Sequence, residues 1–304
     1  MGDPAGIGPE LILRCAPLIS RIKSCHIYGS ARVLEKTAWD LCLKREFCRI
    51  SSIIKDCTRY RDFKYGAPSV TTGRIALDAI DHALKSNNDI IITPPIVKSV
   101  IQKRIPDFIG HTEYFAHYFH VTDYAMMGLH RATRIMLMTT HVPIQEVACH
   151  IQPALITRRL KLLHWGLRKY FNITEPCIGV SAFNPHGIEF SKGEDEKILK
   201  GIKHARQESI DAHGPFPADT LYNRSYNGYL AMFHDQAMIY LKSKKNGLNF
   251  TLGLPIIRLS ALYGAALDIA GKGIAETSGL ETAIKKSILL FNNARRYEKS
   301  KSSH

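Results

Sequence analysis

Short apolar runs recur along this chain, and several stop abruptly at a polar residue or a proline. Residues 135–140 (IMLMTT), 178–183 (IGVSAF) and 229–233 (YLAMF) have the length and composition of buried strands, as do 25–29 (CHIYG) and 89–93 (DIIIT). Between them the apolar positions change to helical spacing. Residues 74–85 place Ile75, Leu77, Ala79, Ile80, Ala83 and Leu84 on one side of a helix, and 145–151, 157–170 and 194–207 follow the same period. Strands alternating with helices predict an α/β fold with a largely parallel sheet. The chain opens on a Gly/Pro-rich loop, Gly2-Asp3-Pro4-Ala5-Gly6-Ile7-Gly8-Pro9-Glu10, which is expected to feed a helix over 10–19 with Pro9 near its first position. Such a loop normally follows a strand. The expectation is therefore that a first strand is missing or that the start codon lies upstream of Met1. The polar, basic last ten or so residues are expected to fray.

The length of 304 residues, with 45% hydrophobic and 22% charged residues, fits a soluble globular protein of two domains. No run approaches the roughly 18 apolar residues of a membrane span, and the N-terminus has neither the basic start nor the apolar centre of a signal peptide. Seven cysteines without any CxxC pair predict free thiols in a reducing cytoplasm. The net charge of +14 arises from scattered lysines and arginines rather than a basic helix or a zinc-finger motif. It argues against nucleic acid and leaves an anionic, phosphorylated substrate or merely a lysine-rich proteome as its source.

Three of the strand-like runs end just before a histidine: His141, His186 (in Asn184-Pro185-His186) and His234 (in His234-Asp235-Gln236). In open α/β sheets ligands gather beyond the carboxyl ends of strands, and three imidazoles there can hold one divalent ion with a position left for substrate. Asp235 is then a further ligand or the partner that orients a ring. A lone histidine is more often structural, so the case rests on the three together. His111 and Thr112, at a predicted helix start, suit a phosphate, though a threonine cap beside a surface histidine reads the same segment equally well. Lys242 and Arg258 flank 249–255 (NFTLGLP) and are either anion holders or solvated surface charges. Residues 267–275 (LDIAGKGIA), with Gly264 just ahead, form either a turn around a nucleotide or a plain loop into the last helix.

Taken in order, GDPAGIGPE, GHTE, TTH, NPH, GPFPADT, FHDQ, NFTLGLPIIR and DIAGKGIA resemble the 4-hydroxythreonine-4-phosphate dehydrogenase family of vitamin B6 biosynthesis, from Gly2 to about Leu290. The resemblance implies a two-domain α/β/α fold of the isocitrate/isopropylmalate dehydrogenase type. The domain division expected with it is 1–108 plus 264–304 against 109–263. It also implies a homodimer with a shared active site and a divalent metal (Zn, Mg or Co) on His141, His186 and His234. Substrate contacts from His111, Thr112, Lys242, Asn249 and Arg258 follow, with NAD (or NADP) as oxidant, contacted by Gly264, Leu267 and Asp268. Lys242 is the candidate for acid–base assistance, aided by Asp235. The implied reaction is oxidation and decarboxylation of 4-phosphohydroxy-L-threonine to 3-amino-2-oxopropyl phosphate. The chain departs from the family at Leu262-Tyr263-Gly264-Ala265, where Asp-His-Gly-Thr is usual. Loss of the His and Thr removes hydrogen bonds of about 0.5–1.5 kcal/mol each, which predicts weaker NAD binding unless Tyr263 stacks on adenine. After His186 the chain reads Gly187-Ile188-Glu189, bulkier than the usual NPHAGE, which predicts a reshaped loop. Related phosphorylated 3-hydroxy acids, such as phosphothreonate, are alternative substrates. A catalytically impaired homologue that keeps only metal and phosphate binding is the other alternative.

Overall fold

Most of the apolar runs end as strands shorter than the runs themselves, because pairing stops where the chain turns out toward the loops. The computed structural model describes residues 1–302. Its strands are β1 (Ile27–Gly29), β2 (Ile54–Asp56), β3 (Ile90–Ile92), β4 (Ala125–His130), β5 (Thr133–Leu137), β6 (Ile178–Ser181), β7 (Ala212–Phe216), β8 (Gly228–Ala231), β9 (Leu248–Leu252) and β10 (Ile257–Ala261). With the helices between them they make a mixed α/β fold. The chain divides into two units, Met1–His120 with Arg258–Ser287, and Val121–Ile257 with the chain from Ile288 onward. These divisions fall at 120/121, 257/258 and 287/288, where the sequence expectation has 108/109 and 263/264 and keeps 264–304 together. His111, Thr112 and Arg258 consequently belong to the first unit.

In the first unit β1 and β2 pair in parallel, Ile27 opposite Ile54, and β3 lies beside β10. The core gathers Leu11, Leu13, Val33, Leu34, Ile50 and Ile75. The helix Val70–Lys85 starts at a capping box in which Ser69 and Thr72 satisfy each other's backbone N–H. The expected single helix over 10–19 is two, Gly8–Arg14 and Ala16–Ile19. Pro17 lacks the N–H that would continue the ladder, so the first helix ends before it. The opening loop is tied down locally: Ile7 N–H donates to the Ala265 carbonyl at 3.0 Å, and the Met1 amino group donates to the Tyr28 carbonyl at 2.7 Å. Glu10 accepts from Ala275 N–H at 2.8 Å, while Arg14 donates to the Ala275 carbonyl at 2.7 Å. This pair clamps the end of the LDIAGKGIA segment.

In the second unit six strands run in the order β9-β4-β5-β8-β6-β7. β4 is antiparallel to both β9 and β5, whereas β5, β8, β6 and β7 are mutually parallel. The helices Pro153–Phe171 and Glu194–Gln207 pack closely because Gly201 has no side chain; a Cβ there would lie 2.6 Å from Ile156 Cβ. Thr157 Oγ1 donates to the Gly201 carbonyl at 3.1 Å across this contact. The tail expected to fray is helical through Ser302. Asn293 Nδ2 donates to the Tyr170 carbonyl at 2.9 Å, and Lys169 pairs with Glu298 at 2.7 Å, which anchors the C-terminal part of the helix. No helix among the described residues is long and apolar enough to cross a membrane.

Candidate active site

Because β5, β8 and β6 are adjacent and parallel, their carboxyl ends lie along one edge of the sheet. His141, His186 and His234 all sit just beyond that edge. The end of β5 is extended by Thr139, whose N–H and Oγ1 both donate to the Met232 carbonyl, and this brings the His141 loop alongside the β8 end. His141 and His186 are exposed and His234 half-buried. Within a single chain the three imidazoles do not form a three-ligand group.

Residues that the sequence reading overlooked hold these loops. Asp195, wholly buried in the first turn of Glu194–Gln207, accepts from Phe183 N–H at 2.7 Å, Asn184 N–H at 3.2 Å and Asn184 Nδ2 at 2.8 Å. Bonds to a charged acceptor are worth about 1.5–3 kcal/mol each, so this carboxylate fixes the NPH loop. Gln236 accepts from Met232 N–H at 2.8 Å and donates to the Ala182 carbonyl at 2.7 Å, joining the β8 and β6 ends. His186 takes a left-handed backbone (φ 57°) and Gly187 follows at φ 70°. The turn Gly187–Phe190 sets the Phe190 ring 5.5 Å from His186.

His234 opens the helix His234–Lys242, and its Nδ1 lies 2.7 Å from Asp235 Oδ1. A carboxylate on Nδ1 fixes the tautomer that leaves Nε2 free to ligate. Asp235 thus acts on His234. Lys242 is seven residues on, roughly 10 Å along the helix at 1.5 Å per residue, and is exposed at its far end. Asn249, in β9 opposite Gly128, has a buried Oδ1 with no hydrogen-bond partner among the described residues.

In the first unit His111 and Thr112 open the helix His111–Tyr118 after Gly110. Its N-cap is glycine, without a side-chain cap, so Thr112 is not the cap; it is buried. Burial pushes the His111 imidazole well below its usual range, with the Arg258 charge adding to the effect and Lys98 contributing. Its Nε2 is buried with no hydrogen-bond partner among the described residues. Arg258, in β10, is buried, and desolvation lowers it to about 10. Its guanidinium donates to Thr93 Oγ1 and lies 5.8 Å over the Phe115 ring. Lys98 comes close to Gly110, since a Cβ on that glycine would sit 3.4 Å from Lys98 Nζ. An imidazole with a buried unsatisfied nitrogen beside two cations suits an anion. Nothing in the sequence around Lys98 marks it as a partner of His111; only the fold brings it near Gly110.

The nucleotide-loop candidates are also in this unit. Gly264 and Asp268 are exposed and Leu267 half-buried. The Tyr263 ring is turned onto Gly279, where a Cβ would lie 2.4 Å from Tyr263 Cε1, so it packs into the fold rather than standing ready to stack on a base.

A sequence profile described as "Pyridoxal phosphate biosynthetic protein PdxA" matches residues 21–287. The chain is 34% identical to a 4-hydroxythreonine-4-phosphate dehydrogenase of Sulfurihydrogenibium sp., over 95% of this chain and 96% of that one. It is 33% identical to an Oceanobacillus iheyensis protein provisionally named as a D-threonate 4-phosphate dehydrogenase, over 95% and 96%. Among solved structures, a 4-hydroxythreonine-4-phosphate dehydrogenase from Burkholderia phymatum superposes with a TM-score of 0.74 at 29% identity, over 95% and 96% of the two chains.

Proposed function

This chain belongs to the family of the pyridoxal phosphate biosynthetic protein PdxA, and we propose that it oxidises 4-phosphohydroxy-L-threonine, with loss of carbon dioxide, to 3-amino-2-oxopropyl phosphate. The observation that carries the reading is the row of three histidine loops on adjacent parallel strand ends.

His141, His186 and His234 are the proposed ligands of a divalent ion. Imidazole donors suit zinc or cobalt better than magnesium, and the Asp235 carboxylate on His234 Nδ1 supports a ligating Nε2. A bound ion of this kind lowers the pKa of a coordinated hydroxyl and stabilises the alkoxide. The ligand set is proposed to come from two copies of the chain. Large apolar side chains near each histidine loop lie open on the surface: Ile144 at 61%, Phe190 at 59% and Ile239 at 74%. A homodimer that covers them would bring the second set of imidazoles with it.

In the first unit, His111, Thr112 and Arg258 are proposed to bind the anionic groups of the substrate, with Lys98 adding charge. In the second, Lys242 is proposed to move a proton at the reacting carbon or oxygen and Asn249 to orient the substrate. Gly264, Leu267 and Asp268 are proposed contacts of NAD or NADP, which supplies the hydride acceptor. The exposed Gly264 and Asp268 leave surface for it, and the inward Tyr263 offers it little.

The test is NADH formation from 4-phosphohydroxy-L-threonine with added zinc, cobalt or magnesium, and its loss with a chelator. Turnover that survives complete metal removal, or none in the metal-loaded protein, overturns the proposal. The Oceanobacillus relative favours one second reading, D-threonate 4-phosphate as substrate; a larger kcat/KM for that compound would establish it.

A further inference from the structure

At the opposite end of β6 from the His186 loop, Cys177, Asp211 and His213 bring a thiol, a carboxylate and an imidazole within 4.8 Å of one another. The sheet register explains the meeting. β6 and β7 pair in parallel with Ile178 opposite Ala212 and Gly179 opposite His213, so Cys177 stands opposite Asp211. By the alternation of strand side chains all three project from one face. Gly179 keeps that face open for the Tyr226 ring, which stacks on His213 with centroids 5.9 Å apart. Asn227 Oδ1 accepts from Cys177 N–H at 2.8 Å and steadies the backbone that carries the thiol. From Cys177 to Asn184 the chain covers seven residues, roughly 20 Å at strand rise, so the cluster is remote from the histidine loops.

We propose that Cys177, Asp211 and His213 form a binding site for a divalent transition-metal ion of the zinc class, with a fourth position open to water. A mixed sulfur, nitrogen and oxygen donor set of this kind is one that zinc accepts in tetrahedral geometry. The metal-free arrangement is a hydrogen-bonded one: His213 Nε2 is 2.6 Å from Asp211 Oδ1, and Arg206 Nη2 lies 3.2 Å from His213 Nδ1. Arg206 only donates, so Nδ1 accepts and the ring proton sits on Nε2. Metal entry through Nε2 therefore needs three changes. The Cys177 thiol gives its proton to solvent, the His213 proton moves from Nε2 to Nδ1, and the Asp211–His213 bond opens. The second change breaks the Arg206 bond. Arg206 is held nearby by its Nε bond to the Ala212 carbonyl at 2.7 Å, and it is the element that opposes loading.

Cobalt(II) added to the full chain tests this, because a thiolate ligand gives a sulfur-to-cobalt charge-transfer band in the near ultraviolet that three imidazoles do not give. The band is expected in the wild type and absent in Cys177→Ser. His213→Gln should raise the cobalt Kd about tenfold, and Arg206→Gln should lower it by a similar factor, in the range typical of ligand-shell changes. No band in the wild type overturns the site, as does a band that persists in Cys177→Ser or a Kd unmoved by His213→Gln. The result is independent of the dehydrogenase reading, since turnover uses none of these residues.

Discussion

Arg258 Nη2 donates to Thr93 Oγ1 at 2.5 Å, and the arginine that makes this bond is only 2% exposed. Desolvation lowers the group to about 10, so it stays charged at neutral pH. A buried charge of this kind costs stability unless it is used. Arg258→Ala removes that charge but leaves a void beside Phe115 and takes the donor from Thr93, at a cost of about 2–5 kcal/mol as for other large buried side chains cut to Ala, and it should raise KM for a phosphorylated substrate by at least about tenfold. Arg258→Lys keeps the charge but loses the planar fork, so its KM should rise while its unfolding free energy stays closer to wild type. Steady-state kinetics beside urea unfolding separates the effects. An unchanged KM in both variants would make Arg258 a packing residue.

His111 gives a pH dependence with a definite sign. Burial, reinforced by Arg258, holds its folded-state pKa well below the ordinary 6.5. The unfolded chain therefore takes up a proton below about pH 6.5 that the folded chain refuses. Stability from this group is complete above that pH and declines as pH falls toward the folded-state value. His111→Gln should flatten the fall in unfolding free energy between pH 7.5 and 5.5. Because other histidines also titrate, the measured quantity is the difference between variant and wild type. Parallel curves would show that His111 is accessible to protons in the native state.

Asp195 makes a third case, since it acts on the candidate site only by holding Phe183 and Asn184 ahead of His186. It accepts three N–H bonds from Phe183 and Asn184. Asp195→Ala leaves these three half-buried donors to water and should cost about 1–3 kcal/mol. With His186 loosened, kcat should fall more than KM rises. Asp195→Asn keeps one acceptor oxygen and should recover part of the stability. If Asp195→Ala lowers stability but leaves kcat intact, the NPH loop is not set by this carboxylate.

Where local pattern decided the outcome, the sequence was a good guide. Glu194–Gln207 forms the helix its period predicts, and β5, β6 and β8 overlap the first part of IMLMTT, IGVSAF and YLAMF and stop two or three residues short of their ends. The break at Cys15 was readable from Pro17 but was passed over for the longer apolar period. What escaped depends on partners distant in the chain. Asp195 looks like any acidic residue in a helix first turn, and only the fold reveals that Phe183 and Asn184 donate to it. Cys177, Asp211 and His213 match no metal-spacing motif, because the β6–β7 register, not their spacing in sequence, brings them together. Stacking of Tyr263 on adenine is open from the sequence, since nothing local shows Gly279 beneath the ring.

Ile239 offers the most direct test of the proposed site shared between two copies. It is 74% exposed on the helix that begins at His234, and Phe190, 59% exposed, lies in the turn after His186. Fully burying a large apolar side chain is worth about 1.5–3 kcal/mol, so a second copy seated on both would gain appreciably, and a charge placed there would cost at least as much. Ile239→Glu should shift the protein from dimer to monomer in sedimentation at micromolar concentration. Its melting temperature at high dilution should match that of diluted wild type, since the side chain packs against nothing within its own chain that its exposure reveals. Turnover should vanish with the dimer and return in part as protein concentration rises, because the ligating imidazoles themselves are untouched. A monomeric variant with full activity per chain would mean that each chain assembles its metal site alone. A dimer that persists unchanged would move the interface to another face.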